Sequence, residues 1–317
     1  MAPQLAWIGL GNMGRNLVEK GNLDKPLILF NRTKARSEDL ASKLGSSKTK
    51  VVDTINDAVK PSDIVFMCLG DDAAVNAAVD KMLEEDVKGK LIVDCSTVHP
   101  ETTNALEKKI TEKGGEFVGM PEVLPQDGPD NIPVFGAPAM ADNGQLVCVT
   151  AGSKASCDKV VPYTTGVMGR TNIDYSGQPA GNATLMKVIG NTFILNMVSQ
   201  LSEGHVLAEK SGLGVDNLHT FVSTMFPGPY TAYSQRMLAG DYYQREEPLF
   251  HIDLARKDAR HAMSLAESSG AKESMKMLGL AQGRLDKVKS EIGDRGDIPS
   301  VYGVVRKESG LDFKNKD

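Results

Sequence analysis

Cysteine is scarce in this chain. Cys68, Cys95, Cys148 and Cys157 are its four cysteines, and no two of them form a C-x-x-C pair. That argues against a zinc ribbon or a disulfide framework and fits a reducing compartment. Cys68 and Cys95 close apolar runs and read as small core residues. The five histidines show no ligand spacing, so no metal is expected. Basic blocks are absent and the net charge is −5, which excludes nucleic acid as an expected partner. No apolar stretch approaches the roughly 20 residues of a membrane span. Structure is expected from about Gln4, which leaves no room for a targeting leader, so the expected location is cytoplasmic and no membrane partner is expected.

What is present is enough chain for two cores. The 317 residues suit a first domain over 1–175 and a second over 176–317. A hydrophobic share of 41% beside 24% charged residues is ordinary for globular domains, so both parts can bury an interior. The first part alternates: strands are predicted at 4–8, 27–30, 51–52, 64–69, 91–93, 117–118, 146–150 and 171–175. Helices are predicted at 12–20, up to about 44, at 73–83 and at 100–112. Such alternation predicts a mostly parallel, doubly wound sheet. After Tyr175 only helical patterns remain, over 179–210, 215–225, 251–269 and 274–290. The expectation is an α/β domain followed by an all-helical one. Residues 120–132 carry Pro121, Pro125 and Pro129 and read as a long surface loop, unable to form a helix or a central strand.

Gly9-Leu10-Gly11-Asn12-Met13-Gly14 is a G-x-G-x-x-G run between a strand and a helix. Gly9 permits the tight turn, Gly11 lets the backbone approach a pyrophosphate, and Gly14 lets helix and strand pack closely. The helix start then offers free N–H groups and partial positive charge to the phosphates. The second strand ends Asn31-Arg32-Thr33-Lys34, with no carboxylate to bond a ribose 2′-hydroxyl. A 2′-phosphate would be repelled by an acid there and attracted by Arg32. The expected cofactor is therefore NADP(H), with Asn31, Arg32 and Thr33 around the 2′-phosphate.

Two further stretches carry candidate chemistry. Asp94 to Pro100 closes a strand and opens a helix, and Ser96 and Thr97 there could bind an anion or simply form a cap. Lys187 and Asn191 stand four apart in a predicted helix and project from one face. Their surroundings are apolar, so Lys187 either snorkels to solvent or is held in a pocket. Tyr230, Tyr233, Tyr242 and Tyr243 could line a cleft or pack between helices.

Taken in order, these blocks resemble the β-hydroxyacid dehydrogenase family, which includes 3-hydroxyisobutyrate dehydrogenases, tartronate semialdehyde reductases and, more distantly, 6-phosphogluconate dehydrogenases. The matching blocks are 8–14, Asp94 to Pro100 (like the family's D-x-S-T substrate motif), Lys187 with Asn191 (like its catalytic helix) and Lys257-Asp258 (like its cofactor-facing pair). The resemblance implies a Rossmann-type fold, 3-hydroxyisobutyrate dehydrogenase-like and of the NADP-preferring branch. It implies hydride transfer between the nicotinamide and the β-carbon of a small carboxylate or aldehyde substrate. Lys187 would then be the general acid/base, and Asn191 would orient the substrate. Ser96, Thr97 and Gly136 would bind the substrate, Thr97 also lying against the nicotinamide. Lys257, Phe250, Leu69 and Gly70 would line the cofactor. A homodimer is implied, helped by the long apolar helix from Pro179.

Three features depart from the family pattern. The 14–17 segment is about one helical turn short. The 121–132 loop is inserted before Pro133-Val134-Phe135-Gly136, where Phe135 replaces the family's serine. Ala183 replaces a common glycine. The alternatives are a non-catalytic NADP-binding module, or an imine or aldehyde reductase of the same fold. Retention of Lys187 argues against both a lysine-less chromatin-acting branch and the imine reductases.

Overall fold

The structure is a computed structural model that describes residues 2–9, 17, 19–45, 47–123 and 146–315. Short apolar runs bounded by turns make the strands: β1 (Leu5–Ile8), β2 (Leu27–Phe30), β3 (Thr49–Val51), β4 (Ile64–Met67), β5 (Leu91–Asp94), β6 (Glu116–Gly119), β7 (Glu122–Val123), β8 (Leu146–Gly152) and β9 (Gly169–Ser176). They form one sheet in the order β3-β2-β1-β4-β5-β6-β8-β7, with β9 against β8. β1 to β6 are parallel to one another, whereas β6 and β7 each run antiparallel to β8. β1, β4 and β5 are buried throughout, which is why they read as unbroken apolar runs rather than as alternation.

Helices follow the strands: α1 (Lys34–Leu44), α2 (Ile55–Val59), α3 (Asp72–Met82), α4 (Pro100–Thr111) and α5 (Lys154–Val160). Asp71, Thr54 and Ser153 accept backbone N–H groups at the starts of α3, α2 and α5, satisfying donors that a helix leaves unpaired. Beyond Ser176 come α6 (Gly181–Lys210), α7 (Val215–Met225), α8 (Pro229–Ala239), α9 (Asp241–Gln244), α10 (Ile252–Ser268), α11 (Lys276–Ile292) and α12 (Val301–Glu308). The expected α/β class with a helical second part is the fold found. Helices α2, α5, α8, α9 and α12 were not predicted. α8 begins on Pro229 and α12 follows Pro299, and a proline in a first turn starts a helix rather than breaking it.

Residues 120–132 need one correction. Glu122 and Val123 form strand β7, opposite Cys148 and Val147 of β8, and Glu122 is buried. The flanking proline does not prevent this, because Pro121 takes part through its carbonyl, which accepts from the Val149 N–H at 3.1 Å. The rest of that segment, the 10–16 stretch and Phe135 lie outside the described residues.

By their contacts the described residues divide into two units, 2–123 with 146–187, and 188–315. The core of the first lies on the sheet, where Trp7 stacks on Phe66 with ring centres 5.6 Å apart. The second gathers Val188, Leu195 and Val198 of α6, Tyr233, Ala259, Leu285 and Tyr302. Tyr233 and Tyr242 belong to this core, with Tyr242 edge-on to Tyr302 and Phe313.

β1 lies between β2 and β4, so the winding reverses at its end. Ile8 is level with Phe30 and with Met67, Met67 with Asp94, and Asp94 with Gly119. Residues 9, 31, 68, 95 and 120 therefore lie along one carboxyl edge, where open α/β sheets bind ligands. Gly9 holds φ at 86°, and a Cβ there would meet the Cys68 carbonyl oxygen at 2.2 Å. Gly9→Ala is expected to cost about 2–3 kcal/mol from strain and collision. Urea denaturation checks this, and an unchanged midpoint would contradict the turn geometry.

Candidate active site

Along the carboxyl edge, the loops after β4 and β5 are tied together. The Ser96 hydroxyl accepts the Leu69 N–H at 2.9 Å, and the Ser96 N–H donates to Asp94 Oδ1 at 2.9 Å. Ser96 is fully buried and Thr97, beside it, is half-buried. Gly70 faces open space at its missing Cβ. At the end of β2 the Asn31 amide donates to the Thr33 carbonyl at 2.9 Å, and Arg32 and Thr33 are exposed. Helix α1 starts without a side-chain cap or an acidic first turn, and its first residues include Lys34 and Arg36. Its N–H groups and partial positive charge are therefore uncompensated by the usual acid. Lys34 is paired with Asp53 at 2.5 Å, which leaves Arg32 as the outward cation of the run.

Lys187 is positioned by the start of α6. The Ala180 and Gly181 N–H groups donate to Glu107 Oε2 at 3.0 Å and Asn104 Oδ1 at 2.8 Å, both on α4. Thr103 and Thr184 join hydroxyls at 3.0 Å inside the same contact. Ala183, a departure from the family pattern, is fully buried with Met186 against Val149 and Ala151 of β8. The Lys187 side chain is half-buried and is the cation that acts on Glu122. Glu122 is only 8% exposed; burial lifts its carboxyl to about 8, against the downward pull of Lys187.

In the second unit the Asn191 amide donates to Asp258 Oδ2 at 2.6 Å, and Lys257 Nζ lies 3.5 Å from Asp258 Oδ1. All three side chains are buried, and a buried charge survives only when paired. Phe250 is half-buried against the helical core. The Leu249 and Phe250 N–H groups donate to Asp297 at 2.8 and 3.2 Å, and Arg236 donates to the same carboxylate at 2.6 Å and to Asp241 at 2.6 Å. This clamp fixes the turn that leads into α10 and its Lys257. Asn191 and Lys257, expected separately from the sequence, are thus joined through Asp258.

Sequence reasoning missed Glu122, Asp297 and Arg236 and gave Asp258 no role of its own. Leu10, Gly11, Asn12, Met13, Gly14 and Gly136 lie outside the described residues. His205, buried, shares Ser234 with His219 at 2.8 Å each, and burial lowers its pKa to about 4. Among the described residues no group of His, Cys, Asp and Glu could hold a metal ion, and no helix is long and apolar enough to cross a membrane.

Known proteins share this fold and sequence pattern. Residues 4–177 match the family described as the NAD binding domain of 6-phosphogluconate dehydrogenase. The chain is 33% identical to an NADH-dependent oxidoreductase of Aspergillus ustus, over 95% of this chain and 97% of the relative. It is 30% identical to glyoxylate/succinic semialdehyde reductase 1 of Arabidopsis thaliana, over 96% of this chain and 98% of that one. Among solved structures, the 3-hydroxyisobutyrate dehydrogenase of Mycobacterium tuberculosis superposes with a TM-score of 0.75 at 20% identity, covering 96% of this chain and 100% of that one.

The clamp predicts a stability effect. Asp297→Ala leaves part of the buried Arg236 guanidinium and two backbone N–H groups without acceptors, and is expected to cost about 3–5 kcal/mol. Urea denaturation measures it; a loss below about 1 kcal/mol would mean that Asp297 does not hold this turn.

Proposed function

Because the chain belongs to the β-hydroxyacid dehydrogenase family of NAD(P)-dependent oxidoreductases acting on small molecules, we propose that it interconverts a small semialdehyde and its β-hydroxy acid with NADP(H), Lys187 serving as the general acid/base. One observation carries this reading. Lys187 is half-buried, seated on helix turns fixed to the sheet unit, and acts electrostatically on the buried Glu122 carboxyl.

The residues fit a dinucleotide. Gly9 leaves room at the edge that no Cβ could share, and the uncapped α1 with exposed Arg32 suits a 2′-phosphate. Gly9 to Gly14, Asn31, Arg32, Thr33, Leu69, Gly70, Thr97, Phe250 and Lys257 are the proposed contacts. When bound, the nicotinamide supplies or accepts the hydride. The chain's own part is proton transfer and orientation. Lys187 gives a proton to the carbonyl oxygen in reduction and takes the hydroxyl proton in oxidation. Asn191, held by Asp258, orients the substrate. The Ser96 hydroxyl, accepting from Leu69, keeps its own hydrogen to donate to a substrate carboxylate, together with Thr97 and Gly136. The Arabidopsis relative is named for glyoxylate and succinic semialdehyde, which makes these the first substrates to assay. A cytoplasmic homodimer is the proposed form, supported by Phe193 and Leu207 of α6, which stand 65% and 69% exposed in the single chain.

Two outcomes are expected. Lys187→Ala lowers kcat by about 10²–10⁴-fold while NADPH binding, followed by fluorescence, persists; full activity in this variant removes Lys187 from the mechanism. Wild-type enzyme prefers NADPH to NADH in kcat/KM, and Arg32→Ala lowers the NADPH value by about 10–100-fold with little effect on NADH. The Aspergillus relative is named for NADH, so both cofactors are assayed side by side, and a wild-type preference for NADH overturns the assignment.

A further inference from the structure

Away from the proposed active site, the helical unit holds a second chain of polar groups. His205 of α6 and Ser234 of α8 are fully buried, and His219 and Ser223 of α7 are half-buried. His205 Nε2 and His219 Nδ1 each lie 2.8 Å from the Ser234 hydroxyl, and His219 Nε2 lies 3.4 Å from the Ser223 hydroxyl. The direction of every bond follows from one end. Ser223 donates its only hydrogen to the His219 carbonyl at 2.8 Å, so towards Nε2 it can only accept. His219 therefore carries its proton on Nε2 and leaves Nδ1 bare. Nδ1 accepts from Ser234, and the Ser234 oxygen in turn accepts from the Nε2–H of His205. The other end agrees. His205 Nδ1 is enclosed with no hydrogen-bond partner among the described residues, and an enclosed bare acceptor is less costly than an enclosed N–H.

Two neutral rings complete this chain, and an added proton breaks it. A proton on His219 Nδ1 turns the acceptor of the Ser234 hydroxyl into a donor. The Ser234 hydrogen must then turn away, and its hydroxyl bonds nothing but the two rings. Turned to His205 Nε2, it forces the proton there onto Nδ1, which has no acceptor. A proton added directly to His205 Nδ1 meets the same closed wall. The charged groups around the rings are committed elsewhere. Tyr302 of α12 stands edge-on to His205 with ring centres 5.8 Å apart, and its hydroxyl accepts from Arg306, which is paired with Glu209 of α6. On α8 Arg236 is bonded to Asp241 and Asp297, and on α7 Asp216, one turn before His219, is exposed. Among the described residues no carboxylate bonds either ring. We infer that the His205–Ser234–His219–Ser223 chain is a pH-sensitive latch, which holds α7 to α6 and α8 while both rings are neutral and releases it in acid. α7 depends on such a tie because little apolar packing holds it. Val222 is its one buried residue and Leu218 is partly buried, whereas Phe221 and Met225 are exposed.

Two measurements on the full chain test this, and neither needs cofactor or substrate. In ¹H–¹⁵N spectra of the imidazole rings at about pH 7, His205 and His219 are expected as neutral rings with the proton on Nε2. A His219 ring with its proton on Nδ1 overturns the bond order and the latch with it. Hydrogen exchange of the α7 amides reads the release. A freed histidine takes its proton at its ordinary value near 6.5, whereas burial holds His205 down to about 4. The stability of the latch is therefore fully present above about pH 6.5 and is lost as pH falls towards about 4. Protection of Val215–Met225, corrected for the intrinsic pH dependence of exchange, is expected to fall about 10–30-fold from about pH 7 to about pH 5. Equal losses in α10 and α11 mean general acid unfolding and overturn the inference. His219→Asn places an amide oxygen where Nδ1 stands, able to accept from Ser234 and unable to titrate, and is expected to hold α7 protection within about 3-fold over that range. Ser234→Ala cuts the chain and leaves α7 weakly protected at both pH values. Wild-type α7 protection that stays level on acidification, or a loss in His219→Asn as large as in the wild type, overturns the latch. Should His219→Asn not fold, the wild-type spectra and exchange decide.

Discussion

The start of α6 is the constraint on which the rest depends. A helix N-terminus leaves N–H groups unpaired, and here α4 supplies the acceptors, Glu107 for Ala180 and Asn104 for Gly181. Those bonds, with the Thr103–Thr184 contact, set both the position and the rotation of the helix against the sheet. The sheet comes close at Gly119, where a Cβ would lie 2.7 Å from the Ala180 carbonyl oxygen. A helix seated this tightly presents its sixth residue after Gly181 in a fixed direction, and that residue is Lys187. The start of that helix is thereby held against α4 and the end of β6 by backbone and buried hydroxyls.

The helical unit shows the same logic in another form. Asn191, Asp258 and Lys257 are buried together, joined by one hydrogen bond and one ion pair, and the turn before α10 is held by Asp297 and Arg236. Low dielectric surroundings make such groups costly when unpaired and rigid when paired. Both units thus use the same device, in which a buried polar network orients a residue proposed for the chemistry.

Much of this was legible in the sequence because the signals are local. Unbroken apolar runs such as Ile64–Met67 mark buried parallel strands, and the glycine at position 9 sits where only glycine fits. The spacing of Lys187 and Asn191 put them on one helix face, and the family resemblance made them candidates. What stayed hidden depends on distant partners. Glu122, between prolines in a segment read as surface, is buried because β8 pairs with it from across the fold. Asp297 looks like an ordinary cap before Ile298 and Pro299, and its bonds to Leu249, Phe250 and Arg236 span about fifty residues or more, which no local pattern reveals. α8 was missed because Pro229 was taken with its neighbouring aromatics as a cluster, whereas it opens a helix.

The central claim is that the Lys187 amine is partly withdrawn from water and within electrostatic reach of the buried Glu122. Its most direct test is an NMR titration of the free enzyme after ¹³C-dimethylation of lysines, a change that keeps their charge, with the Lys187 signal assigned by its loss in Lys187→Arg. The account predicts that this signal moves as Glu122 ionises near pH 8 and that Glu122→Gln abolishes that step. A Lys187 signal that shows no step there, and behaves as the exposed lysines do, would contradict it.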